Sequence, residues 1–247
     1  MRIVIPTYKR YETLNDKTLK YLIDDCKVEP TMIDCFVSDE NELKLYKEYS
    51  KYDVNYILGV PTLKAQRNFI DFYYKVDERI IQFDDDVEGV YKKINDKRTE
   101  LFTDILTLAK LAFHECQKSG TKLWGICAVH NPFYMNNNIS YNLKYVEGAV
   151  FGQIITHDKN LSVTLEDKED FERSILYFHK YKCIVRLNGF SMETKFYTEP
   201  GGMQETRTEE RVTKSALFLL KKWPQYCSLN DKKKGKWTEI KLNHRAI

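Results

Sequence analysis

Apolar residues in the first third of the chain come in short blocks, and the polar stretches between them carry apolar positions at helical spacing. Residues 2–6 form a continuous apolar run closed by a proline. Leu14, Leu19 and Leu22 follow within residues 13–22, so the opening predicts strand, loop, helix. Residues 32–37 repeat the strand pattern, 42–52 the helix pattern, 55–58 a strand, 63–76 a helix and 79–83 a strand. Strands alternating with helices predict an α/β fold around a mostly parallel, Rossmann-like sheet. Further on, residues 103–118 predict a long helix with Leu106, Ala109, Leu111, Ala112 and Phe113 on its apolar face. Residues 123–129, 145–156 (broken around Gly148) and 183–188 read as strands, and 169–181 and 214–223 as helices. No internal repeat or linker divides the chain, which predicts one domain over residues 1–247.

The chemistry suggested by this pattern sits at the end of one strand. Ligands of such sheets bind beyond the carboxyl ends of the strands. There the run Ile80, Ile81, Gln82, Phe83 delivers Asp84, Asp85 and Asp86. Side chains alternate along an extended strand, so Asp84 and Asp86 would project to one side. Three adjacent carboxylates repel unless a cation compensates them. Mg²⁺ and Mn²⁺ are hard cations commonly held by one or two carboxylates plus phosphate oxygens. The alternatives are a solvated acidic turn and a carboxylate-based nuclease with two metals.

Composition narrows the class. A chain of 247 residues, 43% hydrophobic and 13% aromatic, can bury one sizeable core. Its net charge of +3 is the difference between 39 basic and 36 acidic residues, so charge as a whole does not mark a nucleic-acid binder. Locally it is less even: Lys214, Lys221 and Lys222 fall on one predicted helix, and Lys232, Lys233, Lys234 and Lys236 crowd the next loop, near Trp223 and Trp237. The six cysteines are scattered without metal-ligand spacing, as expected of reduced thiols. No stretch approaches the roughly 20 apolar residues of a membrane span, so a soluble, cytoplasmic protein with no membrane partner is expected.

The order of motifs resembles a known family. Val4, Ile5, Pro6, Thr7, Tyr8, Lys9 and Arg10 are similar to the opening strand and loop of family 2-like, GT-A glycosyltransferases, where that loop receives the nucleotide. The run from Ile81 to Asp86 resembles their DxD element, and Glu169, Asp170, Phe171, Glu172 their ED motif, whose aspartate is the base in inverting members. More narrowly, the chain resembles the TET/JBP-associated glycosyltransferases of phages and kinetoplastids, linked to sugar addition on hydroxymethylated pyrimidines in DNA. The features behind this are Lys9 and Arg10, Gly59 before Gln66, Arg67 and Asn68, the acidic triplet, Trp124 and Gly125 before His130 to Phe133, Gly148 and Gly152, and Gly201 and Gly202 before Arg207. The resemblance implies a GT-A-like domain with a nucleotide-sugar half in about residues 1–100 and an acceptor half in about residues 101–247. It implies a metal-dependent transfer of a hexose, UDP-glucose being the expected donor, to a hydroxymethylpyrimidine in DNA. A phage-encoded enzyme would act in the host cytoplasm.

Roles follow residue by residue. Asp84 and Asp86 are expected to hold Mn²⁺ or Mg²⁺, with Asp85 supporting donor or metal, and His244 is a candidate third ligand. Pro6, Thr7, Tyr8, Lys9 and Arg10 are donor-loop candidates, Arg10 because a guanidinium grips phosphate bidentately. Arg67 and Asn68 would reach the nucleotide or brace the triplet. Asp170 is the base candidate, but the second acidic pair, Glu166 and Asp167, competes with Glu169 and Asp170 for that role. His130, Lys232, Lys233, Lys234 and Trp237 are acceptor candidates. A glycan, lipid or protein acceptor would share the donor half. A nucleotidylyltransferase would want a glycine-rich phosphate loop near the amino terminus, which is missing. A non-catalytic DNA-binding module would tolerate loss of Asp86.

Overall fold

The structure, a computed structural model, describes residues 1–194, 202, 207–230 and 237–244. Its first half alternates β1 (Arg2–Pro6), α1 (Tyr11–Leu14, continuing as a π-helical segment Asn15–Asp25), β2 (Ile33–Val37), α2 (Glu40–Tyr49), β3 (Asn55–Leu58), α3 (Leu63–Tyr73) and β4 (Arg79–Phe83). There follow β5 (Val87–Asn95), β6 (Arg98–Phe102), α4 (Ile105–Ser119), β7 (Leu123–Cys127), β8 (Ile139–Ser140), β9 (Val150–Ile154), α5 (Glu169–Tyr181), β10 (Val185–Thr194), α6 (Glu209–Lys222), β11 (Cys227–Leu229) and β12 (Ile240–Leu242).

A ten-stranded sheet runs β3-β2-β1-β4-β9-β7-β10-β5-β6, with β8 on β10, and β11 and β12 pair separately. Strands β3, β2, β1, β4, β7, β10 and β6 point one way, and β9, β5 and β8 the other. The observed class is therefore the expected one: α/β, with a mostly parallel, Rossmann-like central sheet.

Helices cover both faces, which explains why the strands read as unbroken apolar runs. Ile3 and Ile5 face a core shared with Leu14, Leu19, Tyr46, Ala109 and Phe113, while Val4 between them joins Phe36, Ile70 and Tyr74 on the other face. A third cluster packs Phe151 against Ile175, Phe178, Ala216 and Leu219. Each fully buried side chain of this kind contributes about 1.5–3 kcal/mol relative to exposure. Glycine at 152 is set by packing: a Cβ there would lie 2.2 Å from Nε1 of Trp124.

Three expectations change. The strand expected over 145–156 shortens to β9, because residues 143–149 leave the sheet to approach α5. The residues between the acidic run and the helix expected from 103, which carried no predicted element, form the β5–β6 hairpin. The strand expected over 183–188 extends to Thr194, past a register shift between Leu187 and Ser191. No helix among the described residues is long and apolar enough to cross a membrane.

Candidate active site

The acidic run lies where β4 ends, and it is a tight turn between β4 and β5, not a strand end. Backbone groups pin it: Asp84 N–H donates to Ala149 O (2.9 Å), and Thr18 Oγ1 donates to Asp84 O (2.8 Å) while accepting from Val87 N–H (2.9 Å). Thr18 is fully buried on the π-helical segment. A turn lets the three carboxylates diverge, so the alternation expected of an extended strand does not apply.

Each carboxylate has its own partners. Asp85 points inward, accepting from Thr7 Oγ1 (2.8 Å) and Arg10 Nη1 (3.1 Å). Asp86 accepts from Arg10 Nη1 (3.2 Å) and Thr194 Oγ1 (2.9 Å). Asp84 accepts from Arg67 Nη2 (2.6 Å). Two arginines thus supply part of the compensation that the triplet requires. Burial nevertheless pushes the Asp84 carboxyl up to about 7, with Asp86, Asp85 and Glu169 adding to the rise against the pull of Arg67. Burial also pushes Asp85 up to about 6 against Arg10. When all three carboxyls are ionised, they outnumber the two guanidiniums bonded to them.

The loop after β1 is shaped around the same turn. Pro6 ends the strand, and Thr7 is buried. A one-way chain runs from Arg10 N–H to the Tyr46 hydroxyl (2.9 Å), from that hydroxyl to Thr7 Oγ1 (2.6 Å), and on to Asp85. Lys9 adopts φ 55°, its N–H donates to Glu42 Oε2 (2.8 Å), and its ammonium stands 5.0 Å from the ring centre of exposed Tyr8.

On the other side of the turn, Arg67 is 2% exposed and spans the site. Besides Asp84 it donates to Gln82 Oε1 (2.5 Å) and to Gly148 O (3.0 Å), and its Nε stands 3.9 Å from Glu169 Oε1. Glu169 in turn pairs with Arg173, and both guanidiniums lie over Phe151, at 5.2 and 4.0 Å. Space at residue 148 is tight: a Cβ there would lie 3.2 Å from Glu169 Oε1, which would have to give by a few tenths of an ångström, and in ordinary contact, at 3.9 Å, with the Asp170 Cβ. Gly148 is thus where the acidic turn and the start of α5 approach each other. Asp170 accepts from the Tyr145 hydroxyl and from Phe171 N–H (2.8 Å), and burial, followed by the charge of Glu169, raises its carboxyl.

The sequence candidates therefore separate. Thr7, Arg10, Arg67, Asp84, Asp85 and Asp86 form one bonded cluster, and Glu169 and Asp170 adjoin it through Arg67 and Gly148. His130 follows β7 on the same carboxyl edge, its Nδ1 2.9 Å from Ser191 Oγ and its ring tilted on Tyr91 at 4.6 Å. Asn68 does not face the cluster with Arg67. Its amide bonds both ways with the backbone of Val163, at 2.9 and 3.0 Å, which ties down that loop. Asp167 is buried between Arg207 (2.9 Å) and Arg211 (2.5 Å). His244 is held by the Leu143 carbonyl at 2.8 Å, and the charged groups acting on it are Lys144 and Arg186, not the acidic turn. Trp237 is half-buried ahead of β12. Lys232, Lys233 and Lys234 lie outside the described residues.

Thr18, Tyr46, Tyr145, Arg173 and Thr194 join the site without having been singled out in the sequence. Only Gln82 left a signal, a lone polar residue inside an apolar strand, and it is now the partner of Arg67.

No three His, Cys, Asp or Glu side chains among the described residues form a cage for a metal ion. Mg²⁺ and Mn²⁺ do not need one, since one or two carboxylates and phosphate oxygens suffice. Asp84 and Asp86, 35% and 14% exposed at the side chain against 7% for Asp85, are the two oxygen donors that reach solvent. Their hard-oxygen chemistry and the excess charge fit such a cation.

No protein-family model and no curated protein matches this chain. Among solved structures, a mycobacterial protein aligns over 98% of this chain and 82% of its own, with TM-score 0.52 and 9% identity. S. aureus TarS 1–349 aligns over 77% of this chain with TM-score 0.48 and 12% identity, and its complex with UDP over 77% with 0.46 and 13%. This chain spans 60% of the length of the TarS structures. The likeness to the mycobacterial protein is one of fold.

Proposed function

We propose that the chain is a single GT-A-like domain that transfers a hexose from a nucleotide sugar, UDP-glucose being the donor implied by the family resemblance, to the hydroxyl of a hydroxymethylated pyrimidine in DNA. The observation that carries this reading is the acidic turn at the carboxyl edge of β4, bound to the β1 loop on one side and meeting Asp170 across Gly148 on the other. That juxtaposition is what glycosyl transfer requires: anion management at a leaving diphosphate beside a base for an incoming hydroxyl.

The residues of the β1 loop, Pro6 to Arg10, receive the nucleotide in this scheme. Asp84 and Asp86 would hold Mn²⁺ or Mg²⁺, which when bound neutralises the diphosphate. Asp170 takes the proton of the acceptor hydroxyl as the new oxygen to sugar-carbon bond forms, the bond from that carbon to the diphosphate oxygen breaks, and the electron pair leaves with the diphosphate. The Tyr145 hydroxyl fixes the Asp170 carboxylate, and a carboxyl raised by burial is a better base near neutral pH than an ordinary one. Asp170 is preferred to Asp167 because the latter's carboxylate is paired with two guanidiniums, Arg207 and Arg211, whereas the partners of Asp170 are a phenol and a backbone N–H.

Incubation with labelled nucleotide sugars and Mn²⁺, alongside DNA carrying 5-hydroxymethyluracil or 5-hydroxymethylcytosine, tests donor and acceptor together by mass spectrometry of the nucleosides. A hexose on either base is the expected result. Donor turnover without modified base in any combination would replace DNA with a glycan, lipid or protein acceptor. Undiminished transfer by Asp86→Ala in EDTA would remove the metal.

A further inference from the structure

Gly202 belongs to the late glycine pair of the sequence, and the proposed reaction gives it no part. It is remote from the β1 loop along the chain, yet its N–H donates to the Tyr8 carbonyl at 3.2 Å. Its backbone has φ 60°, in the left-handed region that favours glycine. The missing side chain matters as much as the angle. A Cβ at residue 202 would lie 3.0 Å from Cζ of Arg10, 3.1 Å from its Nε and 3.2 Å from its Nη2. Nearly equal distances to three atoms of a planar group put that point over the face of the guanidinium, not at its edge. The Arg10 fork therefore rests on the bare backbone of Gly202.

What Arg10 does from that seat follows from its other contacts. Its Nη1 donates to Asp85 Oδ1 at 3.1 Å and to Asp86 Oδ2 at 3.2 Å. A guanidinium on a flexible stem keeps two such bonds only while its plane is held, because swinging the fork carries Nη1 away from both carboxylates together. The loop around it is fixed from the opposite side, where Arg10 N–H donates to the Tyr46 hydroxyl and Lys9 N–H to Glu42. Thr194, at the end of β10, reaches the same place, its Oγ1 donating to Asp86 Oδ1 at 2.9 Å. The nucleotide-sugar half expected in about residues 1–100 is thus met at two points, Thr194 and Gly202, by the rest of the chain.

We propose that Gly202 is a positioning residue of the donor site: its side-chain-free backbone seats the Arg10 guanidinium against Asp85 and Asp86, so that the β1 loop presents a fixed cation to the donor diphosphate. The assignment rests on the nucleotide-sugar reading above and deepens it by naming the residue that holds the loop from outside the donor half. A Cβ at 202 meets only the far end of a flexible side chain, so it displaces Arg10 and leaves the fold standing.

Two measurements on the whole protein test it. In calorimetric titration with UDP and Mn²⁺, Gly202→Ala should bind about tenfold more weakly than the parent, the scale of one charge-assisted hydrogen bond. Gly202→Asn should lose at least as much. Asparagine tolerates the left-handed angle, so this variant separates the need for room from the need for φ. Parent affinity in Gly202→Asn overturns the seat. In an Arg10→Ala background, Gly202→Ala should change UDP affinity by less than about twofold, because the group it displaces is gone. An equal loss in both backgrounds overturns the positioning role. Urea unfolding of the parent, the two alanine variants and their combination reads the contact without ligand. Gly202→Ala should lower the midpoint more in the parent than in Arg10→Ala, and an additive cycle overturns the seat. A parent that binds no UDP overturns the donor role of the pair, and the urea cycle then tells a failed donor reading from a failed contact.

Discussion

At the residue scale, two neighbouring acidic pairs that look alike in sequence have opposite surroundings. Asp167 lies between two guanidiniums, whereas Asp170 meets a phenol and a backbone N–H and is raised by burial. Asp170→Asn should therefore lower kcat by about 10²–10⁴ with donor KM little changed, as removal of a base does. Asp167→Asn should leave kcat near the parent value and cost about 1–3 kcal/mol in urea melts, because it strips the two arginines of their acceptor. A large kcat loss in Asp167→Asn alone would move the base. The acidic turn adds a pH dependence. Asp84 titrates near 7 and Asp85 near 6, and Asp71, raised by burial, also near 6, all above the ordinary carboxylate range. The folded protein thus holds these protons more tightly than the unfolded chain. Their contribution to stability is fully present below about pH 4 and is lost as pH rises through 6 to 7. Melting of the ligand-free protein should show this loss between pH 5 and 8. Asp84→Asn should remove part of that slope, and an identical slope in the variant would refute the raised Asp84 carboxyl.

At the element scale, α3 does two jobs with adjacent residues. Arg67 faces Gln82, Asp84 and Gly148, while Asn68 holds Val163. Arg67→Met leaves Asp84 and Gln82 without a donor and should cost about 3 kcal/mol, the scale of breaking a buried pair. Arg67→Lys should not restore activity, since an ammonium cannot serve three acceptors across a planar fork. Full activity in Arg67→Lys, measured beside chemical denaturation of both variants, would reduce Arg67 to a counter-charge. Elements facing solvent on one side were the hardest to read. Lys92, Asn95, Asp96, Lys97 and Arg98 make the β5–β6 hairpin look like a polar loop, because an edge hairpin carries charge where a central strand carries valine.

At the scale of the whole molecule, β9 and β7 connect the parallel amino-terminal strands to β10, β5 and β6 in one sheet, so neither half has a closed edge without the other. The single-domain expectation then predicts one calorimetric transition with equal van't Hoff and calorimetric enthalpies. Two resolved transitions would divide the chain near residue 100. Saturating donor and Mn²⁺ should raise that transition together, by about 2.7 kcal/mol at a hundredfold excess over Kd.

The sequence by itself determined the α/β class, the strand that leads into Asp84 and the helix that begins beside Asp170, because apolar periodicity and local turn chemistry depend only on near neighbours. Tertiary structure alone decided which charges meet. Arg10 and Arg67 reach the same acidic turn from positions 75 and 17 residues away. His244, a candidate metal ligand by its place in the chain, instead bonds the Leu143 carbonyl. Electrostatic partners are fixed by the crossing of distant strands and the burial they impose, and a one-dimensional pattern of residue types carries neither.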